Sequence, residues 1–171
     1  MTWLVTAVVL IAVAGALALF QPWKLFTDTT VNEAAPTVVP SAAPNGTPAA
    51  DPPRPETLSQ GTLISHEHAT TGTVHILRLP DGSRVLRLEN LDTSDGPDVH
   101  VWLTDQPVTD SAASWTSFDD GDYVDLGKMK GNKGSQNYTI PAEVDLSRFR
   151  SVDLWCDRFN VSFGAATLHG L

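Results

Sequence analysis

The residues best suited to redox or nucleophilic chemistry lie in "VDLWCDRF", residues 152–159, which holds Cys156, the only cysteine of the chain. A thiol reacts as its thiolate, and a thiolate needs solvent access and a positive neighbour. Arg158, two residues on, is the candidate stabiliser of that charge. Trp155 is the neighbouring aromatic, and Asp153 and Asp157 oppose ionisation. Strand alternation sets Val152, Leu154 and Cys156 on one face and Asp153, Trp155 and Asp157 on the other, which predicts an inward-facing thiol. Burial raises a thiol pKa and leaves a small core hydrophobe, so an inert cysteine stands beside the redox reading, as does an intermolecular disulfide. A lone cysteine excludes an internal bridge and the zinc and haem-attachment motifs built on cysteine pairs.

The other ligand types are scattered. A copper centre of the His, Cys and Met kind gathers ligands just after its cysteine. Here the next histidine is His169 and no methionine follows, so no metal site is expected. His66 and His68 share a strand face by spacing, while His75 and His100 fall on other strands, which suits surface or hydrogen-bonded roles. Asp92, Asp95 and Asp98 in "DTSDGPDVH", and "DDGD" at 119–122, lack the spacing of a calcium loop and read as turn chemistry. Lys128, Lys130 and Lys133 in "GKMKGNKG" lack phosphate-loop spacing and read as a solvated hairpin. Val99, Val101 and Leu103 point to the core, leaving His100 and Trp102 on the opposite face; with Trp115, Tyr123 and Trp155 they form either an aromatic surface or a sheet covering. No hydrolase, dinucleotide or metalloprotease motif is present, so the chain reads as an accessory domain more than as an enzyme by itself, and no residue pattern specifies a cofactor.

Three segments must position these residues. Thr2–Phe20 carries no charge and as a helix rises about 28 Å, a bilayer's hydrocarbon thickness, with Trp3 and Trp23 at its ends. Residues 1–26 therefore read as a membrane helix with its flank; a cleaved signal ending near "ALA" at 16–18 is the alternative. Residues 27–58 hold seven of the twelve prolines between Pro36 and Pro55, without an aromatic side chain between those two, and read as a disordered tether, of which Pro36 to Leu58 alone would reach roughly 70 Å. Sequons begin at Asn45, Asn137 and Asn160. From Ser59 to Leu171, eight short β-rich runs alternate with turn compositions such as "PDGS" and "DTSDGP", which predicts an all-β antiparallel sandwich; only "PAEVDLSRFR" suggests a helical turn. The formal charge of −9 and pI near 4.7 exclude a nucleic-acid partner.

Taken in order, "TGTVHI", "RVLRLENLDTSDGPDVHVWL", "VDLGKMKGNKGSQNYTIP" and "VDLSRFRSVDLWCDRFNVSFGAATL" resemble the DM-thirteen, or electron-transfer DM, domain family across residues 59–171. "QPWKLF" after the helix resembles actinobacterial members, single-pass proteins with one such domain outside the membrane. The resemblance implies a nearly invariant cysteine, here Cys156 of "LWC", in a domain that multidomain relatives join to haem-binding DOMON and cytochrome-type modules. This chain carries neither module, so a redox circuit would need a separate redox or haem protein as partner. The expectation is a membrane-anchored, extracytoplasmic electron-transfer accessory domain at the cell membrane. Its rival is a cell-surface binding or structural domain whose cysteine is inert core.

Overall fold

A computed structural model describes residues 2–36 and 54–170. The chain opens with helix α1, Thr2–Phe20, followed by a 3₁₀ turn over Pro22–Phe26. The apolar span from Thr2 to Lys24 has mean hydropathy 2.6, and none of its most apolar stretch is buried by the rest of the protein. Such a helix is long and apolar enough to cross a bilayer.

Ten strands follow among the described residues: β1 Thr30–Asn32, β2 Glu56–Thr62, β3 Ile64–Ser65, β4 Thr71–Arg78, β5 Arg84–Asp92, β6 Val99–Thr104, β7 Tyr123–Lys128, β8 Lys133–Ile140, β9 Ser151–Cys156 and β10 Val161–Thr167. They form two five-stranded sheets, ordered β1-β8-β5-β4-β2 and β3-β10-β9-β6-β7. The sandwich expected from the sequence is present, and all eight β-rich runs lie on strands. The run "GTLISHEH" divides between β2 and β3, and β1 adds a strand where none was expected. The helical hint in "PAEVDLSRFR" is a 3₁₀ turn over Leu146–Arg148, capped by Asp145, whose side chain accepts from Ser147 N at 3.0 Å.

Period-2 patterning explains the core. Val74, Ile76, Leu86, Leu88, Tyr138 and Ile140 from one sheet meet Val99, Val101, Leu103, Val152, Leu154, Cys156 and Phe163 from the other. The second sheet is covered on its outer face too. Trp102, Trp155 and Ala165 pack there with Phe118, which is fully buried, and with Val108. Every residue of β9 is consequently buried, polar and apolar alike.

The tether expected from Thr27 to Leu58 is shorter at both described ends, because Glu56–Leu58 already belongs to β2 and Thr30–Asn32 pairs in parallel with Lys133–Ser135 of β8. The sequence gives no apolar reason for β1; its partners are polar and distant. Asn132 Oδ1 accepts from Thr29 N at 2.7 Å, Lys130 Nζ meets Glu33 Oε1 at 2.7 Å, and Glu33 Oε2 accepts from Asn137 N at 2.6 Å. Arg87, packed on β5, donates to the carbonyls of Glu33 and Ala34. Gly134 takes φ +98, and a Cβ there would collide with the Val31 carbonyl, so β1 can lie against β8 only beside glycine. The proline-rich centre, including Asn45, lies outside the described residues.

Candidate functional site

Cys156 is the last residue of β9, fully buried, with Val99 of β6 and Val161 of β10 as its register partners. Burial pushes its pKa up. Backbone N–H groups of Phe159, Arg158 and Asp98 oppose that rise in part, while the Asp98 carboxylate adds to it. Arg158 is exposed, and its pull on the sulfur comes from its backbone, not from the guanidinium that the sequence suggested. The arrangement seals the thiol from nucleophiles and disfavours thiolate, and thiol–disulfide exchange requires both access and thiolate.

Trp155 faces the other side of the sheet, as alternation predicts, yet it is buried rather than solvent-facing. Its ring stacks on Trp102 with centroids 5.0 Å apart, and Trp102 stacks on Tyr123 at 3.9 Å and an interplanar angle of 9°. The first two rings are 1% and 3% exposed and Tyr123 is 45% exposed, so the stack runs from the residue beside Cys156 to the surface at strand β7. Cross-strand register builds it, since β6 lies between β9 and β7. The sequence supplied the rings but not their order.

A buried polar group on the same face escaped the sequence reading. Asp153 is fully buried, and Ser162 Oγ donates to its Oδ1. His66 Nδ1 lies 2.7 Å from Ser162 Oγ, and because the hydroxyl proton is directed to Asp153, Nδ1 carries the hydrogen. Desolvation holds the Asp153 carboxyl protonated well above the usual carboxylate range and lowers the pKa of His66. His66 stacks with Trp115 at 5.9 Å and lies near Phe118 at 5.8 Å. Asp153 Oδ2, His66 Nε2 and the indole nitrogens of Trp102 and Trp115 have no hydrogen-bond partner among the described residues. Only "H-x-H" at 66–68 hinted at this group, and the spacing misled: His68 turns away to meet Phe163 with centroids 3.9 Å apart and the rings tilted by 46°.

The acidic turns and lysines pair with one another. Lys128 Nζ meets Asp98 at 2.5 Å, Lys133 Nζ meets Asp28 at 3.2 Å and Asp92 at 3.6 Å, and Lys130 holds Glu33. Lys130 and Lys133 of the basic hairpin thus fasten the segment around the first strand, while Lys128 stays exposed beside Asp98. Asp98, His100 and Asp157 bring one ligating atom each within 4.8 Å of one another, with Asp125 on His100 Nδ1 at 2.8 Å. Lys128 Nζ and His100 Nε2 both contact Asp98 Oδ1, the imidazole at 3.3 Å. His75 lies 3.5 Å from Glu89.

The described residues thus form a two-sheet sandwich behind a helix of membrane-spanning length, with a sealed cysteine and an aromatic stack leading from its neighbour to the surface. The chain belongs to the family described as Electron transfer DM13, which it matches over residues 62–168. No curated protein and no solved structure matches it.

Proposed function

We propose that this protein is a single-pass, membrane-anchored accessory module of electron transfer. Its sandwich stands on the extracytoplasmic side, with Cys156 as the candidate redox group and a separate redox or haem protein as partner. The observation that carries this reading is the stack Trp155–Trp102–Tyr123. A sealed thiol cannot exchange disulfides, but electrons cross packed aromatic rings without contact between donor and solvent. An external one-electron oxidant takes an electron from Tyr123, whose phenolic proton passes to water. An electron from Trp102, with a proton returning from water, restores the tyrosine, and an electron from Trp155 restores Trp102, so that the single oxidising equivalent ends on Trp155 as its cation radical, beside Cys156. Family membership and α1 support the electron-transfer and membrane parts of the reading.

Photogenerated ruthenium(III) as external oxidant tests it by transient absorption, with Trp3, Trp23 and Trp115 replaced by Phe. Tyrosyl and tryptophan radicals are expected together, the tryptophan signal disappearing in Trp102→Phe. Faster radical decay in the Cys156-containing protein than in Cys156→Ala marks the thiol as a donor. Equal decay in both assigns the thiol to packing, and a tyrosyl signal alone removes the relay. The burial of Cys156 favours the second reading, a binding or structural domain with an inert cysteine, and those two outcomes together would establish it.

A further inference from the structure

The end of α1 leads straight into the sandwich. Phe20, its last residue, stacks on Phe159 in the turn after β9, with centroids 6.0 Å apart and rings 15° from parallel. Gln21 takes a left-handed φ of 42° and redirects the chain, after which Lys24 Nζ reaches the Gly96 carbonyl at 3.0 Å and Asp95 Oδ1 at 3.4 Å. An apolar recess of about 190 Å³, walled by Phe20, Pro22, Pro97, Phe159 and Phe163, lies in the seam.

Around this seam large apolar rings face outward. Beyond α1, the exposed large hydrophobic side chains among the described residues are Trp23 at 50%, Phe26 at 89%, Phe159 at 48% and Tyr123. Three of those four sit at this end. Chain continuity places a bilayer surface within one turn of Phe20, the level at which aromatic rings concentrate. Exposed Arg158 adjoins Phe159, suited to a headgroup phosphate.

We propose that this end of the sandwich rests on the bilayer. Trp23, Phe26 and Phe159 enter the interfacial layer and Arg158 faces phosphate, so that the domain is seated on the membrane rather than held off on a spacer. The proposal rests on α1 spanning the membrane.

The full chain in phosphatidylcholine nanodiscs, one copy per disc, tests it by spin-label accessibility to oxygen and to a nickel chelate. Labels go on Phe26→Cys, Phe159→Cys and Arg158→Cys, the last leaving the Phe20–Phe159 stack intact. Val13→Cys reports the anchor, and Asp81→Cys reports water at the far end of the β4–β5 hairpin. Cys156 stays in place as a sealed thiol. The oxygen-to-nickel ratio at 26, 158 and 159 is expected to exceed that at 81 by about threefold or more, as interfacial depth requires. Ratios at those three sites equal to that at 81, with position 13 in lipid, overturn the seating while the anchor holds. A water-like position 13 overturns the anchor itself, and the seating with it.

Discussion

At the scale of single residues, β9 places two titratable groups where water does not reach. Cys156 ends the strand among aliphatic neighbours, and its raised pKa follows from lost solvation. Iodoacetamide is therefore expected to leave the folded protein unmodified at pH 8 and to label it stoichiometrically in urea, as mass spectrometry reads directly. Cys156→Ser puts a hydroxyl in the same apolar site and should lower unfolding free energy by about 1–3 kcal/mol. Asp153 poses the opposite pH problem to that of a salt-bridged carboxylate. Its folded pKa is raised, so the folded state holds the proton more tightly than the unfolded state does. Its contribution is most favourable below the unfolded value near 3.8 and declines as pH climbs from there toward the folded value. Asp153→Asn, which keeps the shape and loses the titration, should gain on the parent protein through that window by up to about 1.4 kcal/mol per pH unit. Urea titrations at several pH values compare the two, and parallel curves would show an ionised Asp153.

At the scale of elements, β1 is the test of how a polar three-residue strand is held. Its burial is slight, so charged hydrogen bonds from β8 and from the turn before it carry the attachment. Glu33→Ala removes the partner of Lys130 Nζ and of Asn137 N together. It should cost about 1 kcal/mol and accelerate amide exchange over 28–34 more than over β5. Unchanged exchange there would mean that the β1–β8 ladder, Asn132, Lys133 and Arg87 hold the segment without Glu33. These elements also show what the sequence makes legible. Alternation in 152–156 and 99–103 identified the inward faces correctly, because one face of each strand meets the opposite sheet. On the outward faces it left open whether Trp155 and Trp102 form a surface or a covering and gave no sign that Asp153 is sealed, because their cover comes from Phe118 and Val108 in a segment with no strand pattern. Asp153, Ser162 and His66 span 96 positions and meet only through strand register. In the same way, the lysines of 128–133 read as solvated because their partners Asp28 and Glu33 lie about a hundred residues away.

At the scale of the whole molecule, acid should act chiefly through carboxylates bonded in the fold. Hydrogen bonds from Asn132, Lys130, Arg87, Lys128 and Ser147 hold Asp28, Glu33, Glu89, Asp98 and Asp145 below their usual values. Each depressed group contributes stability that is fully present above its unfolded value, between 3.8 and 4.5, and is lost as pH falls through the folded value. Asp153 runs the other way but is a single group. The melting temperature is therefore expected to fall steadily from pH 5 to pH 2.5 in calorimetry; a rise over that range would mean that Asp153 outweighs the rest.

The short parallel strand before the proline-rich centre has one practical consequence. A fragment cut to begin at residue 59 would discard β1 and Glu56–Leu58 of β2. Strand β8 would then present unsatisfied amides and carbonyls along a raw border, ready to pair with a neighbouring copy. Such a fragment is prone to self-association. A soluble preparation that begins at Thr27 keeps the border closed.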